Sequence, residues 1–250
     1  MADLTYTSGT HTVTSAFETL YVSGTAIVNL NAGASGSGHA AVIDLMTPAN
    51  TEGAIPAIVN NGGTVNVNAG AYTGGAGLAA PDAGEAAAPA PAIWSRGGTL
   101  NISGSPTFAP GAAADRSGFP AADIGAPNAS AISGGTFTAG NAVGSYNLPG
   151  GSALVAGIIG AVGTTLTGVT VSGGTGVGTG STGWSLGFCL FDTTSHMQLT
   201  TGTFTGAVKG TMAATGCYLD VYTAVGVTPS KLDGTAFTDT TTFYGDRYTF

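Results

Sequence analysis

Two stretches of the chain align without a gap: Ala57-Ile-Val-Asn-Asn-Gly-Gly-Thr-Val-Asn-Val-Asn-Ala-Gly-Ala-Tyr-Thr73 and Ala92-Ile-Trp-Ser-Arg-Gly-Gly-Thr-Leu-Asn-Ile-Ser-Gly-Ser-Pro-Thr-Phe108. Each reads as a short apolar strand, a Gly-Gly corner, then Thr-apolar-Asn-apolar. Ala131-Ile-Ser-Gly-Gly-Thr-Phe-Thr138 repeats the pattern with a shorter corner, and looser copies start at Gly24-Thr25, Gly163-Thr164, Gly202-Thr203 and Gly234-Thr235. Neighbouring copies lie roughly 30 to 40 residues apart, a spacing that suits a coil of short strands whose loops vary in length.

Alternation sets the phase of the strands. In Thr64-Val65-Asn66-Val67-Asn68 the valines face one side and Thr and Asn the other; Thr99-Leu100-Asn101-Ile102-Ser103 has the same phase. Stacked copies therefore put aliphatic ladders inside and hydroxyl and amide ladders outside. Glycine at a corner accepts φ > 0 and lets the chain turn sharply from one sheet to the next. Glycine also recurs too often, and a 3.6-residue apolar period too rarely, for long helices. The segment 70–91 reads as a surface loop rich in Gly, Ala and Pro.

Composition supports sheet and excludes several partners. The 250 residues include 43 glycines, 5 basic and 13 acidic side chains, whereas an ordinary domain has about a quarter of its residues charged. Disordered chains are charged and poor in β-branched residues, the opposite of this one. A net charge of −8, with Arg96, Arg116, Lys209, Lys231 and Arg247 scattered, leaves no basic footprint for nucleic acid. The longest apolar stretch, Ala153 to Val162, is about half a membrane span. Met1-Ala2-Asp3-Leu4-Thr5 has neither a basic n-region nor an apolar core, so the expected route to a surface is leaderless secretion or virion assembly. Two cysteines, Cys189 and Cys217, make no disulfide framework.

The strings Gly-Gly-Thr-Leu-Asn-Ile-Ser and Ser-Gly-Gly-Thr-Phe-Thr resemble the right-handed parallel β-helix of autotransporter passengers, phage tailspikes and pectin-degrading enzymes. The resemblance implies an all-β fold: one right-handed parallel β-solenoid over residues 1–250, with irregular coil lengths and long Gly/Ala/Pro loops. Residues 1–24 are then an N-terminal cap or docking strands, and 234–250 a C-terminal aromatic cap. It implies little about activity, because one fold hosts many functions.

Four constellations carry candidate chemistry. Cys189-Leu190-Phe191-Asp192 and Cys217-Tyr218-Leu219-Asp220 match one another about one coil apart. If they stack, Asp192 and Asp220 sit one strand spacing apart, close enough to share a proton or a cation. Clustered aspartates of this kind resemble those of β-helix polysaccharide hydrolases; the ordinary reading is a pair of strand-ending aspartates at turns, and no surrounding Arg, Lys and His cluster backs the pair. The cysteines read as packed thiols or a bridge. Next is an outward ladder of Thr64, Asn66, Thr99, Asn101, Thr136, Thr138, Thr203 and Thr205. It resembles the flat Thr arrays of ice-binding proteins, against the plain reading that Thr favours strands. His11, His39 and His196 have no acidic or Cys partner at ligand spacing, so no metal or cofactor is expected. Gly183-Trp184-Ser185-Leu186-Gly187 matches a hydrolase motif in letters, but a strand follows where a helix is needed.

The ends are a further candidate. An unpaired rung is a template for association, and Tyr6 at one end with Phe243, Tyr244, Tyr248 and Phe250 at the other form the candidate assembly interface. The expected function is structural or adhesive: a filament subunit at the cell surface, or a decoration or fibre on a virion. The expected state is a homo-oligomer or larger assembly, with glycan as a further partner class. The alternatives are a polysaccharide-active β-helix enzyme and an ice-binding protein.

Overall fold

The computed structural model of the chain describes residues 1–43, 51–77, 89–112, 122–124, 131–138, 154–159, 164–172, 184–190, 196–205, 207–210, 218–222, 240–242 and 245–249. Every regular element among them is a β-strand. The first coil contains β1 (Leu4–Tyr6), β2 (Thr10–Val13) and β3 (Ala16–Phe17). The second contains β4 (Leu20–Ser23), β5 (Ile27–Leu30) and β6 (Ser35–Gly36), and then puts out a small antiparallel hairpin of β7 (Val42–Ile43) and β8 (Thr51–Glu52). In the third coil β9 (Ile58–Val67) runs through two faces before β10 (Ala71–Thr73), and in the fourth β11 (Ile93–Ala109) runs through all three.

Later coils follow the same course: β12 (Ala122–Ile124) and β13 (Ala131–Thr138); β14 (Leu154–Ile159) and β15 (Thr164–Ser172); β16 (Trp184–Leu190) and β17 (His196–Thr205); β18 (Ala207–Gly210) and β19 (Tyr218–Tyr222). Outside the β7–β8 hairpin, each of these strands pairs in parallel with its counterpart in a neighbouring coil, most of them on both sides, so a parallel sheet nearly closes round an axis in a solenoid-like arrangement. The last two strands, β20 (Thr240–Thr242) and β21 (Gly245–Thr249), are antiparallel, β21 lying against β19.

Register explains the core. On the first face Leu4, Leu20, Ile58, Ile93, Ala122, Ile158, Phe188 and Val208 stand in one row. On the second, Val13, Leu30, Val67, Ile102, Ile132, Leu166, Leu199 and Val221 do the same. Slipping a strand by one residue would turn its whole apolar set outward, so burial holds each coil on the one before. The first row is fully buried at Leu20, Ile58 and Ile93.

The third face is aromatic. Tyr72 stacks on Phe108 with ring centroids 5.5 Å apart, and Phe108 on Phe137 at 4.7 Å. Such pairs add about 0.5–1.5 kcal/mol beyond the area they bury. The Tyr72 hydroxyl donates to the Ala69 carbonyl at 2.7 Å, which satisfies the polar end of a buried ring. The stretch 70–91, expected as a loop, therefore opens on a strand: alternation in Ala71-Tyr72-Thr73 sends the ring into the core and leaves its neighbours exposed.

The Gly-Gly corner behaves as the repeat predicts. Gly62 and Gly98 take φ of 130° and 70°, and Gly98 packs on the backbone of Gly63 so closely that no side chain fits between coils. Asn60, wholly buried just before the corner, accepts from the Gly63 amide at 3.2 Å and donates to the Thr99 carbonyl at 3.1 Å, with Ser95 Oγ at 3.4 Å. It ties one corner to the next coil.

Among the parallel coils the longest connections gather at one place. Residues 37–57, 74–92, 110–121, 139–153 and 173–183 each connect a third-face strand to the next first-face strand. The stems of the early insertions bond to one another: Ala41 N–H to Ala76 O, Gly75 N–H to Ile55 O, Gly77 N–H to Ala112 O and Gly111 N–H to Ala90 O, at 2.8–3.0 Å.

Candidate functional surfaces

The alignment of 57–68 with 92–103 holds along both strands, Ile58 standing against Ile93, Thr64 against Thr99, Val65 against Leu100, Asn66 against Asn101 and Val67 against Ile102, with a register shift at the corner between them, where Asn61 meets Gly97. Beyond it the ungapped match slips by one. Tyr72 meets Phe108, not Thr107, because the stretch after Gly104 carries an extra residue and a register shift.

Outside the second face the amides bond to one another. Asn66 Nδ2 donates to Asn29 Oδ1 at 2.8 Å, and Asn101 Nδ2 donates to Asn66 Oδ1 at 2.9 Å. A second column repeats this two residues further along, Asn68 donating to Asn31 and Ser103 Oγ to Asn68, both at 2.9 Å. Coil lengths of 37 and then 35 residues carry these contacts without losing register.

The expected Thr/Asn ladder is two ladders on different faces. Thr64, Asn66, Thr99 and Asn101 belong to the second face. Thr136 and Thr138 belong to the third, in columns that run Ala71, Thr107, Thr136, Thr170, Thr203 and, two residues on, Thr138, Ser172, Thr205. The cause lies in the short copy at 131–138. Ile132 aligns with Ile102, so its Gly134 stacks on Gly104 at the following corner, and its first-face strand is the separate β12.

The described parts of the two matching tetrads lie on different faces. Cys189 lies on β16 in the first face, paired with Ile159 and Lys209. Tyr218, Leu219 and Asp220 lie on β19 in the second face, where Asp220 pairs with Gln198 and, antiparallel, with Arg247. The coil holding Cys189 closes on Lys209, so the similarity of the two strings does not mark equivalent rungs. Asp192 and Cys217 fall outside the described residues. Asp220 instead continues by register the row of Thr12, Asn29, Asn66, Asn101, Ala131, Thr165 and Gln198.

One grouping escaped the sequence. His39 is flanked by two carboxylates: its Nε2 lies 2.7 Å from Asp3 Oδ1 and its Nδ1 3.6 Å from Glu18 Oε1. The expectation that His39 lacks an acidic partner is thereby corrected. Three successive passes of the chain meet here. Leu4 N–H bonds Thr19 O, Glu18 N–H bonds Ala2 O, and Gly38 N–H bonds Glu18 O; Thr19 N–H also holds Asp3 Oδ1 at 3.1 Å. All three side chains are about one-third exposed or more, and their mutual contacts account for the arrangement as a clasp between the first coil and the second. Nothing in the linear spacing of residues 3, 18 and 39 signals it; only the coil period does.

Of the candidate assembly residues, Tyr6 packs its ring on His11 at 4.0 Å and leans on the core. Tyr248 is opposite Leu219 and Thr240 in the antiparallel end. Phe243, Tyr244 and Phe250 lie outside the described residues.

Finally, the first face carries an outward row in register: Thr5, Tyr21, Val59 and Trp94. Tyr21, Val59 and Trp94 are half-buried between fully buried neighbours. Burial and the nearby Asp3 carboxylate raise the Tyr21 phenol above its ordinary range. No helix among the described residues is long and apolar enough to cross a membrane. No family model, curated protein or solved structure matches the chain.

Proposed function

We propose that the chain is a right-handed parallel β-helix with a structural or adhesive role at an exposed surface, as a filament subunit or as a component docked on a virion. The observation that supports this reading most is the unbroken first-face row from Leu4 to Val208. It makes a stiff rod whose described outer rows are mainly hydroxyl, amide and aromatic. The first coil supports it further, since among the described residues β1 and β2 each pair with a single later strand, and an unpaired strand edge is the usual template for strand addition. Negative-stain electron microscopy with light scattering on the same sample tests it. Filaments or a defined oligomer are expected, and a strictly monomeric rod at all concentrations argues against self-assembly.

A second reading, ice binding, is favoured by one observation. The third-face columns through Thr107, Thr136 and Thr170 hold register across coils of different length, because the extra residues enter at corners. Thermal hysteresis in the wild type, abolished in Thr136→Tyr, is its test. The polysaccharide-cleaving alternative keeps Asp192 and Asp220 as its candidate acid and base.

A further inference from the structure

We propose that the outward row of the first face, anchored by Tyr21 and Trp94, binds an extended, uncharged β-linked polysaccharide laid along the axis of the coil. The proposal deepens the adhesive reading and rests on it.

The geometry begins with register. Tyr21 stands against Val59, and Val59 against Trp94. Leu20 and Val22, Ile58 and Asn60, Ile93 and Ser95 flank them and are buried, so alternation directs the three intervening side chains outward. Adjacent strands are about 4.8 Å apart, which sets the two rings about 9–10 Å apart along the axis. That is close to the length of a disaccharide unit in an extended β-linked glycan, where every second sugar presents the same face. Val59 fills the space between with a flat aliphatic surface. Aromatic faces take the C–H side of a sugar ring, and a few placed polar groups fix its hydroxyls.

Those polar groups are present. Asn61 is exposed two residues beyond Val59 on the same strand. Asp3 lies at the Tyr21 end, near enough for its carboxylate to act on the Tyr21 phenol. Carboxylates accept from sugar hydroxyls, whereas a uronate or sulfated polymer would meet like charge on a chain of net charge −8. Charge therefore selects a neutral glycan over an acidic one.

The test is retention of the full chain on cellulose, chitin and a neutral mixed-linkage glucan gel, beside pectate and a sulfated glycan. Wild type is expected to be retained on a neutral polymer. Tyr21→Ala and Trp94→Ala should each bind about tenfold more weakly, the scale of one interface anchor, and Tyr21→Phe should stay within about twofold. Trp94→Thr replaces Trp94→Ala if circular dichroism shows the alanine variant unfolded. No retention of folded wild type on any neutral polymer, equal retention of folded Tyr21 and Trp94 variants, or preference for the acidic polymers would overturn the proposal. Electron microscopy of the same samples separates the two claims, since assembly without retention sinks only the glycan strip.

Discussion

Phe17 and Tyr72 meet across Gly36. Their ring centroids are 6.2 Å apart although they belong to the first and third coils, and the residue in register between them has no side chain. A Cβ on Gly36 would lie 2.7 Å from the Phe17 ring and 2.9 Å from the Ala57 methyl. The aromatic stack of the third face is thus continuous only because the second coil contributes a gap. Gly36→Ala is expected to destabilise the protein by about 1–3 kcal/mol through overpacking, read as a lower denaturant midpoint. An unchanged midpoint would mean that Phe17 swings aside freely.

Asn60 and Asn66 differ in what their loss leaves behind. Asn60→Ala strands the buried Gly63 amide and removes a donor from Thr99 O, at a cost of about 1–3 kcal/mol. Asn66→Ala breaks two amide contacts in a half-buried column, for about 1 kcal/mol. Asn68→Ala, in the exposed column, should cost less than either. Urea melts of the three variants check the order.

Tyr72 links stability to alkaline pH. Burial pushes its phenol far above the ordinary tyrosine range, so the folded state holds the proton more tightly than the unfolded chain does. Its contribution is complete below about pH 10, the unfolded value, and declines as pH rises further. Denaturant midpoints should therefore fall above that point, and Tyr72→Phe should flatten most of the fall. Tyr21, raised in the same direction, accounts for part of the remainder. A slope identical in Tyr72→Phe would show that the phenol is not the linked group.

The His39 clasp is predicted to be weak. Its partners are part-exposed, and such pairs contribute about 0–1 kcal/mol. His39→Ala should leave global melting nearly unchanged while speeding amide exchange at Leu4 and Glu18, whose N–H groups bond Thr19 and Ala2 beside it. Unchanged exchange there would show that the backbone bonds alone hold the first coil.

What could be read beforehand followed the strength of the local pattern. Thr64-Val65-Asn66-Val67 and Thr99-Leu100-Asn101-Ile102 alternate strictly, share a Gly-Gly corner and pair as their alignment predicts. Thr136 was placed on the wrong face because a three-faced coil has more than one glycine corner, and a short string cannot say which corner it occupies. Cys189 and the stretch Tyr218 to Asp220 fall on different faces for a related reason: equal letters do not mean equal rungs when coil lengths change. Tyr21 and Trp94 carried a readable signal in Leu20-Tyr21-Val22 and Ile93-Trp94-Ser95, where an aromatic ring sits in the outward phase. His39 carried none, since its partners come from other passes of the chain.

The gathering of the longest connections between parallel coils at the corner between the third and first faces has an evolutionary consequence. Stem-to-stem backbone bonds, such as Ala41 to Ala76 and Gly77 to Ala112, seal the rod beneath the insertions, and closing a longer loop costs little extra entropy. New sequence can be spliced in at this seam, lengthened or replaced without disturbing the rungs below. Selection can diversify one flank of the molecule while the other three surfaces, and the axis itself, stay unchanged.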